Sequence, residues 1–181
     1  INIPVHLGLV HLPNIYCGVA VFVLLPLYIM CSKVNAREKI GKCVILLIFL
    51  TAFNLNIPNY IWHGMHFPNS LPCRQSFIYI FFLLAMCYEA VINLKNSTNR
   101  QLGASLWIAI GLLLIMEELF INSETEYSFK SVYISGIFIL IYGLLMFIHN
   151  NAKFKIPVVL MLTFSVSIIE CTMNMDATGI G

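Results

Sequence analysis

The run SVYISGIFILIYGLLMFIH, residues 131–149, decides the fold class because it is apolar and carries no aspartate, glutamate, lysine or arginine. A helix needs about 20 consecutive apolar residues to cross a bilayer, and several runs of this chain approach that length. The chain is 60% hydrophobic and 10% charged, whereas soluble domains carry roughly 45–50% apolar and about 25% charged residues. We therefore predict an all-α, polytopic transmembrane helical bundle that forms a single domain over residues 1–181.

Apolar segments separated by polar loops predict about six membrane spans. Pro26 lies inside the first span and should kink it, and Ser76 is the predicted N-cap of the third. The predicted spans are residues 14–31, 43–61, 77–93, 102–121, 131–149 and 156–171.

The positions of lysine and arginine predict the topology, because cytoplasmic loops of membrane proteins carry an excess of these residues. The loops assigned to the outside carry only Arg74 and Lys130. We therefore expect both chain ends and residues 62–76 on the outer side. The loops assigned to the cytoplasmic side carry Lys33, Arg37, Lys39, Lys42, Lys95, Arg100, Lys153 and Lys155.

Several other classes of protein are disfavoured by composition. The net charge of +2 is too small to argue for nucleic acid, and the six cysteines form no Cys-x-x-Cys pair. Most of them fall in apolar runs, where a free thiol behaves as a small hydrophobe, so we expect no disulfide framework, metal or cofactor. The chain starts at Ile1 without a signal-peptide pattern, and we interpret it as part of a longer protein.

The outer stretch WHGMHFPNSLPCRQS, residues 62–76, crowds polar and rigid residues between two apolar runs. Pro68 and Pro72 fix φ, and Gly64 permits turns that other residues cannot make. Trp62 suits the boundary between membrane and water. The stretch is therefore predicted to be a structured loop or half-helix.

The same stretch carries groups that can bind an anion. Arg74 presents a planar fork that matches phosphate oxygens, and the N-terminus of the following helix favours negative charge. His63 and His66 can donate hydrogen bonds or move protons near neutral pH. These groups suit a lipid headgroup that carries phosphate. An equally open alternative is that Arg74 only snorkels to headgroups and that the histidines are interfacial without a role.

Few acidic residues lie within the predicted spans. Glu89 is expected to reach towards Lys95 or the interface, and Glu117 and Glu118 to form part of a solvated rim. Glu170 lies near the outer end of the sixth span.

The run NYIWHGMHFPNSLPCRQSFIY, residues 59–79, resembles the signature of the bacterial YfhO family, WHGFHxPNxxPxRxSF. It departs from that pattern at Met65, an aromatic position, and at Cys73, where tyrosine is common. The run PNIYCG, residues 13–18, is similar to the segment that opens an earlier span in the family, and the likeness over the remaining spans is loose. The matching motif positions are Trp62, His63, Gly64, His66, Pro68, Asn69, Pro72, Arg74, Ser76 and Phe77.

The resemblance implies a GT-C-type fold and glycosyltransferase activity on the outer face of a bacterial cell membrane. Such proteins take a sugar from a polyprenyl-phosphate carrier and place it on a cell-surface polymer such as lipoteichoic acid. GT-C enzymes usually carry a catalytic aspartate or glutamate in their first outer loop. That loop is expected upstream of Ile1, so we expect these residues alone to be inactive.

Hypothetical roles follow from the resemblance and the outer placement of the residues. Glu170 is the candidate base for the acceptor hydroxyl, with Asp176 behind it, and His63 is the second candidate catalytic residue. Either His63 or His66 is expected to orient the phosphate or the acceptor. The candidate substrate- and phosphate-binding residues are Arg74, His66, Trp62, Asn69 and Ser76.

Two alternative functions remain open. Kinking prolines and a loop that binds headgroups also suit a transporter or flippase of lipid-linked sugars, and a non-catalytic assembly subunit would need only the apolar spans. The expected partners are a polyprenyl-phosphate-linked sugar donor, a cell-surface polymer acceptor and membrane lipids, with no nucleic acid.

Overall fold

The computed structural model describes residues 16–62, 64–65, 75–121, 129–151 and 156–178. Within these ranges the regular structure is helical and no strand occurs, which confirms the all-α prediction. A short 3₁₀ turn, Leu94–Asn96, separates the fourth and fifth helices. The α-helices are α1 Val21–Met30, α2 Ala36–Asn54, α3 Asn56–Trp62, α4 Ser76–Ile92, α5 Asn99–Ile121, α6 Phe129–Asn151 and α7 Ile156–Thr178.

Three of these helices contain segments long and apolar enough to cross a membrane: Asn99–Glu118, Val132–Asn151 and Pro157–Asn174. They confirm the prediction of a helical membrane protein. Val21–Met30 and Ser76–Ile92 are also apolar but shorter. A total of about six spans, and the side of the membrane on which each loop lies, stay predictions.

The short helix α1 lies at the centre of the bundle. It packs against α4, α5 and α6, and the side chains of Val23, Leu27 and Tyr28 are buried. At 10 residues it is about 15 Å long, half of a hydrocarbon core of about 30 Å. The helix is therefore shorter than the predicted first span of residues 14–31.

Side chains from two other helices cap the C-terminal end of α1. Lys39 donates to the carbonyl oxygen of Ile29 at 2.8 Å and also to that of Cys31. Gln101 donates to the carbonyl oxygen of Met30 at 2.9 Å. The last carbonyls of a helix lack intrahelical donors, so these bonds fix the end of α1 beside the starts of α2 and α5.

Helices α1 and α4 run in the same direction. They pack side by side, and the C-terminal end of each lies close to the start of α5, because α4 leads into Asn99 through the 3₁₀ turn and α1 is bonded to Gln101. The N-termini of α1 and α4 therefore lie together at the opposite end of the bundle.

An ion pair joins α2 to α4 near the other end. Lys42 contacts Glu38 on its own helix at 2.6 Å and also contacts Glu89 of α4. Glu89 thus pairs with a lysine 47 positions earlier in the chain. The expected contact of Glu89 with Lys95 is therefore not what the structure shows.

Helices α5 and α6 approach closely at Gly143. A Cβ atom added there would lie 2.3 Å from Cδ2 of Leu106, and small residues are what allow membrane helices such close contact. An apolar cleft of about 250 Å³ lies beside this contact. It is lined by Val23, Asn99, Leu102, Gly103, Leu106, Gly143, Met146 and Phe147.

Candidate functional site

A buried carboxylate lies beside the N-terminus of α1. Glu170 of α7 is only 6% exposed, and its Oε1 accepts hydrogen bonds of 2.6 Å from the Tyr16 hydroxyl and from the backbone N–H of Val19. Its Oε2 accepts a third, also of 2.6 Å, from the hydroxyl of Tyr142 in α6. Oxygen Oγ of Ser167 lies 3.2 Å from that hydroxyl. We call these five residues the Glu170 cluster.

A left-handed residue brings the backbone against this carboxylate. Gly18 has φ +87°, a conformation that glycine adopts without a Cβ penalty, and a Cβ added there would lie 3.7 Å from Oε1 of Glu170. The turn aims the N–H of Val19 at the carboxylate, and the positive end of the α1 dipole also favours negative charge there.

The Glu170 cluster can hold and transfer a proton. An ionised carboxylate offers about four acceptor positions, and three donors from the described residues use three of them. Acidic residues at membrane depth are costly and commonly functional. The structure therefore places the candidate base Glu170 in a fixed, hydrogen-bonded setting, although its catalytic role stays a proposal.

An aromatic group lies at the start of α4. The ring of Trp62 at the end of α3 is 4.9 Å from that of Phe49. Tyr79 in the first turn of α4 lies 6.2 Å from Phe49 and 5.5 Å from Phe53. Trp62, a predicted binding residue, therefore contacts α4 indirectly through the ring of Phe49, and it remains 44% exposed. No sequence motif indicated these ring contacts.

Two left-handed residues end α3 within the motif stretch. Gly64 has φ +69° and Met65 has φ +61°. The N–H of Gly64 donates to the carbonyl of Ile61 at 3.2 Å, and that of Met65 to the carbonyl of Tyr60 at 2.9 Å. This pair of bonds is a Schellman motif, and it confirms that Gly64 makes a turn there.

Helix α4 begins differently from the prediction. Ser76 is its first residue rather than its N-cap, and the capping position belongs to Gln75, whose side chain makes no capping bond. The prediction that Ser76 caps the helix is therefore wrong by one position, because the helical backbone already begins there. Gln75 is only 3% exposed, and its side-chain oxygen and nitrogen have no hydrogen-bond partner among the described residues.

Cys17 precedes Gly18, and both Cys17 and Tyr79 pack against the hydrophobic core that α1 shares with α4. The Glu170 cluster and the start of α4 therefore face the same end of the bundle, as the parallel course of α1 and α4 requires.

Four predicted site residues, His63, His66, Asn69 and Arg74, lie outside the described residues. Their grouping with Trp62 and Ser76 stays a prediction. Asp176 lies in α7. In the part of the chain that the structure describes, no three histidine, cysteine or acidic side chains gather in a way that could hold a metal ion.

Comparison with known protein families identifies the family of this chain. The chain matches the family described as "Bacterial membrane protein YfhO" over residues 6–180. Comparisons with curated proteins and with solved structures found no match.

Proposed function

The chain belongs to the YfhO family of bacterial membrane proteins, and on that premise we propose that it is a membrane glycosyltransferase. The donor is a sugar on a polyprenyl-phosphate carrier, and the acceptor is an extracytoplasmic polymer such as lipoteichoic acid. The helices that can cross a membrane suit a donor whose hydrocarbon tail stays in the bilayer. The resemblance of residues 59–79 to the family signature supports this class of reaction.

The observation that carries the proposal is the Glu170 cluster. A carboxylate held by three hydrogen bonds of 2.6 Å is a positioned proton acceptor. It lies at the end of the bundle where α3 ends and α4 begins, which are the two elements that bound the motif stretch. The fourth acceptor position of Glu170 is the one that an acceptor hydroxyl would use.

In the proposed reaction the bond between the sugar's anomeric carbon and the carrier phosphate breaks, and its electron pair leaves with the phosphate. A bond forms between that carbon and the acceptor oxygen, while the hydroxyl proton passes to Glu170. Arg74 holds the phosphate and stabilises its charge as the sugar leaves, and His63 or His66 orients the phosphate or the acceptor. Trp62, Asn69 and Ser76 contact the donor.

Replacing Arg74 by alanine tests the donor site. The intact protein is produced in bacterial membranes at matched levels, and transfer of radiolabelled sugar from synthetic polyprenyl-phosphate sugars to the polymer fraction is measured. Arg37→Ala is the matched control, because Arg37 is an exposed arginine at the start of α2. We expect transfer to fall at least tenfold for Arg74→Ala and to persist for Arg37→Ala. Unchanged transfer in Arg74→Ala refutes the assignment.

A transporter of lipid-linked sugars is the second candidate, and the observation that favours it is the short central helix. Helix α1 has only 10 residues and contains Pro26, and helices too short to cross the membrane line substrate paths in transporters. Purified protein in liposomes separates the two functions. A polymer that gains sugar indicates a transferase, whereas movement of the intact lipid-linked sugar across the bilayer without transfer indicates a transporter.

A further inference from the structure

Gln75 is a buried amide without a partner among the residues that the structure describes. It is 3% exposed, and neither Oε1 nor Nε2 makes a hydrogen bond with any of those residues. Buried polar groups in proteins are nearly always paired, so each exception needs an explanation. Burial of this amide destabilises the ligand-free chain, because its hydrogen bonds to water are lost and not replaced.

The position of Gln75 is at the start of α4, on the face that packs on α1. Its helical spacing places it in line with Tyr79, Leu83 and Met86, of which Leu83 and Met86 are buried in the core that α1 shares. The first N–H groups of a helix have no intrahelical acceptor, so α4 offers further donors at this point. The N-terminus of α1 and the Glu170 cluster lie at the same end of the bundle.

The chemistry of the missing partner follows from the two unpaired atoms. Nε2 is a donor that needs an acceptor, and Oε1 is an acceptor that needs a donor. An ionised phosphate ester offers acceptors only, so it would leave Oε1 unpaired. Sugar hydroxyls both donate and accept, and a neighbouring pair of them can satisfy the whole amide.

We propose that Gln75 binds hydroxyl groups of the sugar that the donor carries, between the N-termini of α1 and α4. This inference rests on the proposed function, because it assigns a contact within the same donor site. It assigns the selection of the sugar to the Gln75 amide. A bound sugar restores the hydrogen bonds that burial removed, so binding stabilises the chain through this residue.

The first experiment measures the unpaired amide itself. Gln75→Met keeps the length of the side chain and removes both polar atoms. We expect the melting temperature of the ligand-free intact protein in detergent to rise by about 2–4 °C.

Gln101→Met is the matched control for that substitution. The Gln101 amide donates to Met30 at 2.9 Å and accepts from the N–H of Thr98 at 2.8 Å, so its removal should lower the melting temperature. A lower melting temperature for Gln75→Met would show that its amide is paired, and it would overturn the inference.

The second experiment measures sugar recognition. Intact protein in nanodiscs is titrated with bare polyprenyl phosphate and with polyprenyl phosphate that carries glucose, galactose or N-acetylglucosamine, and the dissociation constants are compared. We expect wild type to bind at least one sugar-bearing carrier about tenfold more tightly than the bare carrier. Gln75→Met should lose that preference and keep its affinity for the bare carrier.

The outcomes distinguish the inference about Gln75 from the proposed function. If Gln75→Met retains the wild-type preference for the sugar-bearing carrier, the inference about Gln75 is wrong while the proposed function stands. If wild type binds all carriers equally, the amide does not read the sugar. If wild type binds none of the carriers, the proposed donor class fails and the inference fails with it.

Discussion

Replacing Glu170 tests the cluster on which the proposed function depends. Alanine at this position removes the common acceptor of Tyr16, Val19 and Tyr142. The N–H of Val19 is buried and would have no other acceptor among the described residues. The Tyr142 hydroxyl would keep Ser167 within reach at 3.2 Å.

The size of the effect follows from those contacts. A hydrogen bond to a charged group contributes about 1.5–3 kcal/mol, and a buried donor left unpaired costs roughly 1–3 kcal/mol. The partial rescue of Tyr142 reduces the sum, so we expect Glu170→Ala to lower the free energy of unfolding by roughly 3–5 kcal/mol. Glu170→Gln should cost about 1–2 kcal/mol, because the amide oxygen keeps Tyr16 and Val19 while the Tyr142 hydroxyl turns to accept from the new NH₂.

The assay is unfolding of the intact protein in mixed micelles by titration with sodium dodecyl sulfate, followed by circular dichroism. Cys171→Ala is the control, since Cys171 is the next residue of α7 and is exposed, and it should leave the free energy of unfolding within about 0.5 kcal/mol of wild type. The cluster as described is refuted if Glu170→Ala is as stable as Cys171→Ala.

The same variants separate a catalytic from a purely structural role. If Glu170 is the base, Glu170→Gln stays folded and loses sugar transfer per folded molecule, because a carboxamide cannot accept the proton. If the carboxylate only fastens α7 to the start of α1, transfer by Glu170→Gln falls no further than its folded fraction.

Two glycine substitutions test the helix contacts by the same unfolding titration. Gly143→Ala should destabilise the pairing of α5 with α6 by about 1–3 kcal/mol, because its Cβ would lie 2.3 Å from Leu106. The control is Gly111→Ala on α5, which has open space at its Cβ and should be neutral or stabilising. Equal losses of stability in the two variants would contradict this packing. Gly64→Ala should lower the free energy of unfolding by about 1 kcal/mol, because Gly64 has φ +69°. Gly41→Ala, in helical backbone with open space around it, should raise the free energy of unfolding by up to about 1 kcal/mol. A rise in both variants would refute the left-handed turn.

Sequence patterns predicted most helix positions well. The run at 131–149 became α6 Phe129–Asn151, and the run at 156–171 became α7 Ile156–Thr178. In a bilayer every backbone polar group must form a hydrogen bond within the protein, so a long apolar run that crosses the membrane forms a helix. The prediction depends on local sequence only, and it therefore succeeds without knowledge of the neighbours.

The first predicted span shows that local sequence does not determine where every helix begins. Residues 14–31 read as one apolar run, but α1 begins at Val21 because Gly18 adopts φ +87° and delivers the N–H of Val19 to Glu170. A glycine in an apolar run does not reveal that conformation. The decisive contact comes from a residue 151 positions away, which no local pattern contains.

For the candidate site, sequence alone determined which residue types gather in the motif stretch and that Glu170 lies within an apolar helix. Tertiary structure decided that Glu170 is held by two tyrosines and a backbone N–H, and that the Gln75 amide is buried without a partner in the part of the chain that the structure describes. The physical reason is that apolar periodicity acts within one helix, whereas hydrogen-bond satisfaction depends on which helices lie side by side.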